Sequence, residues 1–171
     1  MKRNILRAAV AASILGVNSV AFAADTMVEF GATIENQCSI TADANGTLGI
    51  ATAINQDNML SSKPTESTDG TLAQVTINCA GSGTLSMSQP VPNSADATAF
   101  AAGGSYNTGT EVYADVNGSS NLGISNTASG TITPNGTPTV YYIHMYARDS
   151  SVTIIPDGIY TYMVTVSIVP N

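Results

Sequence analysis

The chain has 171 residues, about one ordinary domain, and only 10% of them are charged. Three of its five basic residues, Lys2, Arg3 and Arg7, fall in the first seven positions, which leaves Lys63 and Arg148 against 12 acids and a net charge near −10 for the rest. Such a body has little with which to neutralise phosphates, which argues against a nucleic-acid or anionic-membrane partner. An apolar content of 43% argues against a disordered polymer.

Residues 1–7 are basic, 8–20 are apolar, and Ala21-Phe22-Ala23 places small residues at a cleavage site, so 1–23 reads as a signal peptide. The apolar run is shorter than the roughly 20 residues that span a bilayer, and no later segment approaches that length, so no integral membrane segment is expected. Cleavage leaves about 148 residues, exported. Segment 28–34 then alternates, with Val28, Phe30, Ala32 and Ile34 on one face, and the parity continues through Cys38 and Ile40. In segment 72–79, Ala73, Val75, Ile77 and Cys79 share a face. An exported chain with two cysteines most simply pairs them, and both point inward from strands, so a Cys38–Cys79 disulfide is expected.

Shorter strands are expected at 84–88 and 111–116 and a longer one at 140–147, while 45–70 reads mostly as loop and 98–109 as a long exposed loop. After the turn signal Pro156-Asp157-Gly158 comes the cleanest alternation, with Tyr160, Tyr162, Val164, Val166 and Ile168 on one face of a single long strand. No helical period of useful length appears. Strands separated by turns favour an all-β sandwich over a βαβ arrangement.

Candidate chemistry is sparse. The lone His144 shares a strand face with Val140, Tyr142 and Tyr146 and reads as a surface or groove-lining residue with no catalytic part. The acids are scattered singly, so neither a carboxylate pair, a metal site nor a cofactor site is identified. Asn45-Gly46-Thr47, Asn117-Gly118-Ser119 and Asn135-Gly136-Thr137 fit a glycosylation pattern but read first as tight turns. The tyrosines at 141, 142, 146, 160 and 162 read as core and cross-strand pairs.

Taken in order, three stretches resemble a known family. They are Val28-x-Phe30-x-Ala32-x-Ile34-x-Asn36-Gln37-Cys38-Ser39-Ile40, then Val75-Thr76-Ile77-Asn78-Cys79, and last the strand 140–147 followed by Pro156-Asp157-Gly158-Ile159-Tyr160 and an alternating strand. The pattern is similar to the spore coat protein U-like domain and the archaic class of chaperone-usher pilins. The resemblance implies an incomplete immunoglobulin-like, pilin-type β-sandwich over 37–171, completed by a strand from another chain. It implies that 24–36 is the donor extension, with Val28, Phe30, Ala32 and Ile34 entering a neighbour's groove. Tyr160, Tyr162, Val164, Val166 and Ile168 would form the acceptor and chaperone-binding strand. The implied partners are a periplasmic chaperone, an outer-membrane usher and identical or related subunits joined head to tail, and the implied location is a fimbrium, the cell surface or the medium. Read from its residues alone, 28–34 is either such a donor or a strand of its own sheet. A minor adaptor or adhesin that binds a surface or glycan through exposed loops is the alternative function.

Overall fold

The computed structural model describes residues 37–52 and 58–171. The expected signal peptide, 1–23, and the expected donor extension, 24–36, with Val28, Phe30, Ala32 and Ile34, lie outside the described residues.

The described chain is almost entirely β. Its elements are β1 (Cys38–Ala44), β2 (Gly49–Ile50), β3 (Met59–Ser61), β4 (Ala73–Cys79), β5 (Gly83–Met87), β6 (Val91–Pro92), α1 (Ala95–Ala101), β7 (Tyr106–Tyr113), β8 (Asn121–Ser125), β9 (Gly130–Ile132), β10 (Thr139–Asp149), β11 (Tyr162–Met163) and β12 (Val166–Pro170). All pairings are antiparallel. β4 shows why these segments are strands: Val75, Ile77 and Cys79 are buried while Gln74, Thr76 and Asn78 keep some exposure.

The first sheet is organised by β10. One edge of β10 pairs with β4 along 139–143 and then with β3 along 146–148, and the other edge pairs with β7 along 142–149. Between β4 and β3 the ladder is carried by Ser62, whose N–H donates to Met145 O at 3.0 Å and whose Oγ accepts from Met145 N–H at 2.9 Å. β1 lies outside β4, β8 outside β7, and β2 outside β3. The second sheet has the order β12-β5-β9, and its pairing continues through Ser88 N–H to Thr165 O at 2.8 Å into the β11-β6 pair. Residues 162–170 therefore run antiparallel to 83–92 along a single edge.

Val75, Ile77, Leu85, Val112, Ile124 and Tyr141 fill the space between the sheets. A second core gathers Leu60, Phe100, Met145, Ala147 and Ile155. Phe100 reaches it from α1, which Ser94 caps by accepting from Ala97 N–H at 3.2 Å.

Three expectations need correction. Segment 45–70 contains β2 and the wholly buried β3, too short for alternation to reveal. Segment 98–109 contains the end of α1 and the start of β7; with two buried residues, Ala97 and Phe100, the helix leaves no periodic signature. The final strand is two strands, β11 and β12, interrupted at 164–165.

Cys38 and Cys79 are bonded across facing positions of β1 and β4, 41 residues apart in sequence. Gly83 is required beside them, since a Cβ there would meet Ile168 Cδ1 at 2.8 Å and Cys38 Sγ at 2.9 Å. Replacing both cysteines by serine should lower the unfolding free energy by about 4 kcal/mol, the loop-closure value for this separation. A urea titration checks it.

Candidate functional site

A groove opens between the two sheets along one side of the sandwich. Its floor is Val75, Ile143 and Met145, one wall is Ile40, Ala42 and Ala44 of β1, and the other is Tyr160, Tyr162, Val164 and Val166; its volume is about 930 Å³. The wall residues alternate: the four at 160, 162, 164 and 166 are half-buried and those between them exposed. Small side chains on β1 keep the first wall low; the tight turn expected at Asn45-Gly46-Thr47 does not form, and Thr47 instead bridges Thr71.

Both rims are backbone edges. Among the described residues β1 pairs with β4 alone, and 162–170 pairs with 83–92 alone, so each presents its other edge to the groove. One end is closed, because Ile168 packs with the Cys38–Cys79 disulfide over Gly83. The other end is open at Leu48 and Tyr160. Of the five residues expected on the acceptor strand, Tyr160, Tyr162, Val164 and Val166 therefore line the groove, while Ile168 forms its closed end. Burial pushes the Tyr162 hydroxyl far above its ordinary range, so this wall carries no charge.

His144 lies elsewhere, and its surroundings differ from expectation. It is 2% exposed, on the face of β10 opposite the inter-sheet core. Ser61 Oγ lies 3.0 Å from its Nε2, Glu66 Oε2 3.6 Å from Nε2, and Glu111 Oε2 3.5 Å from Nδ1. Lys63 reaches Glu66 at 3.4 Å and the Tyr113 hydroxyl at 3.2 Å, and that hydroxyl also bonds Glu111. A serine, a histidine and a carboxylate in this order resemble a hydrolytic triad in outline. Ser61, however, has no exposed surface, and its Oγ donates to Glu66 at 2.8 Å and accepts from Lys63 N–H at 3.1 Å. The hydroxyl is closed to an acyl substrate, and the network acts here to hold the 62–67 turn over the sheet. No sequence signal pointed to it: Ser61 and His144 are 83 residues apart.

Among the described residues no group of three or more potential metal ligands occurs, and no helix is long and apolar enough to cross a membrane. No protein-family model matches the chain, and no curated protein matches it.

Burial holds the His144 imidazole below its ordinary range; the nearby Glu66 and Glu111 oppose this but are themselves about a third exposed and screened by water. The native state thus takes up a proton less readily than the unfolded chain, and stability present above pH 6.5 should be lost as pH falls below it. Urea midpoints should drop between neutral pH and pH 5, and His144→Gln should flatten that part of the profile.

Proposed function

We propose that this protein is a structural subunit of a surface fibre or coat that polymerises by strand donation, its groove filled by the N-terminal segment of another copy. The observation that carries the reading is the coincidence of an open apolar groove with two backbone edges along its rims that are unpaired among the described residues. An extended peptide satisfies both needs together, because its main chain pairs with an edge while alternate side chains enter the groove. Residues two apart along a strand lie on one face about 6.6 Å apart, the same step that separates Tyr160, Tyr162, Val164 and Val166. Val28, Phe30, Ala32 and Ile34 have this step, and four apolar side chains suit a groove walled by alanines, valines and tyrosine rings.

Burying each large apolar side chain stabilises by about 1.5–3 kcal/mol, and new ladder hydrogen bonds add to that. A head-to-tail contact of this kind does not close on itself, so the product is a filament. The resemblance to archaic chaperone-usher pilins supplies the remaining parts of the reading. A periplasmic chaperone would occupy the groove first and an outer-membrane usher would exchange its strand for a subunit's. No nucleotide is needed, since the better-fitting strand provides the driving force. No enzymatic role is proposed.

Two variants break opposite halves of the contact. Phe30→Asp spoils the donor and leaves the groove intact; Ala42→Arg, at an exposed groove position, blocks the acceptor and leaves the donor intact. Neither alone should form the detergent-resistant ladder of multimers expected of the unsubstituted chain, whereas a mixture should yield heterodimers and nothing longer. Ladders from either variant alone would overturn the reading.

A further inference from the structure

The groove has a direction, and the direction fixes where the next subunit must sit. β1 begins at the closed end, at Cys38, and residues 160–168 run the opposite way, from the open end towards Ile168. A donated strand pairing antiparallel to 162–170, the more stable pairing, therefore points its C-terminal end towards Leu48 and Tyr160. This step rests on the strand-donation reading. Only Glu35, Asn36 and Gln37 separate Ile34 from Cys38, a span of about 14 Å at full extension. The donating copy must then bring the end of its sandwich that carries Cys38 against the acceptor's open end.

That end of the groove carries several exposed isoleucines. A cleft of about 300 Å³ lies between β2 and the 155–158 turn, lined by Leu48, Ile50, Leu60, Ile155 and Pro156. Ile154 and Ile159 bracket the turn and are 67% and 72% exposed, and Ile50 on the cleft is 48% exposed. The acidic groups here are Asp69 and Asp157 on the cleft and Asp96, whose Oδ2 accepts from Ile159 N–H at 2.7 Å. The facing end of the donor consists of Gln37, the 79–84 corner and the Asn135-Gly136 turn, which Gly136 N–H ties to Cys79 O at 2.7 Å. Residues 79–84 and 133–138 contain no acid, so the acidic side chain that the donor brings to this junction is Glu35 of the linker.

We propose that the isoleucine-rimmed open end is a second interface, onto which the next copy of this chain seats the end carrying Cys38 and Asn135. Strand donation links the copies; this contact sets the angle between them and stiffens the fibre.

The test uses the full chain. Ile154→Ser with Ile159→Ser should leave the monomer's urea midpoint and the multimer ladder unchanged, because both side chains are exposed and neither lies in the groove. The fibres should show a shorter persistence length by negative-stain microscopy. Separately, Asn135→Cys combined with Ile159→Cys should give multimers covalently joined by a short bismaleimide, and adding Phe30→Asp should abolish the join. A retained ladder with unaltered persistence length, or without the 135-to-159 crosslink, would overturn the second interface and leave strand donation standing. Absence of a ladder from the unsubstituted chain would bring down both.

Discussion

The central constraint is main-chain pairing along one side of the sandwich. Backbone N–H and C=O groups demand partners, and an apolar face demands cover. Among the described residues, β1 and the 162–170 segment each meet the demand on one edge only, and Ile40, Tyr162, Val164 and Val166 between them remain half-buried. The rest of the molecule is arranged so that this side stays open without collapsing. β10, paired along both edges, holds the floor of the groove, and the disulfide with Ile168 ties the two rims at one end. Rims held at one end and free at the other can admit a strand without the core having to rearrange.

The floor is stiffened from behind. Ser62 repairs the break in the β10 ladder from the groove side, and its neighbour Ser61 is tied into the His144, Glu66 and Lys63 network on the opposite face. Burying polar groups is tolerable only when they are mutually bonded, and a network so bonded specifies one arrangement of the sheet. It also explains why a lone histidine occupies a strand among tyrosines. Neutral imidazole fits a site from which water is excluded, whereas a charged one would have to recover its lost hydration from two partly exposed carboxylates.

Alternation made the long strands legible, because a strand with one covered face must place apolar residues at period 2; β4, β10 and the 160–168 region were readable on that ground, as was the cysteine pair. What escaped was short or determined from afar. β3 has three residues, all buried, and owes its existence to the edge of β10 that β4 leaves vacant. α1 is two turns long and declares itself only through the Ser94 cap. The groove itself was half legible: the wall at 160–166 followed from alternation, but the low wall at Ala42 and Ala44 and the closure by Ile168 depend on how β1 packs against a strand 130 residues further on. Asn135 and Gly136 form the expected turn, both at positive φ, although it links β9 and β10 of different sheets and closes no hairpin.

An open edge is also a hazard, and the chain bears marks of restraint. β1 carries a register irregularity between Ala42 and Ala44 with the exposed Asp43 at its centre, features that hinder flat edge-to-edge pairing. β12 ends in Pro170, which offers no N–H. The strong net negative charge adds a repulsion between copies that extends about 8 Å at physiological salt. Random encounters of two subunits are thus disfavoured at long range and poorly matched at short range. On the proposed strand donation, an encounter would become favourable only when alternating apolar side chains enter the groove and the end carrying Cys38 meets the isoleucine-rimmed one. With strand donation as the mode of assembly, the acidity of the chain would favour one geometry of contact over others, and an edge unpaired among the described residues would be tolerated because few strands fit it.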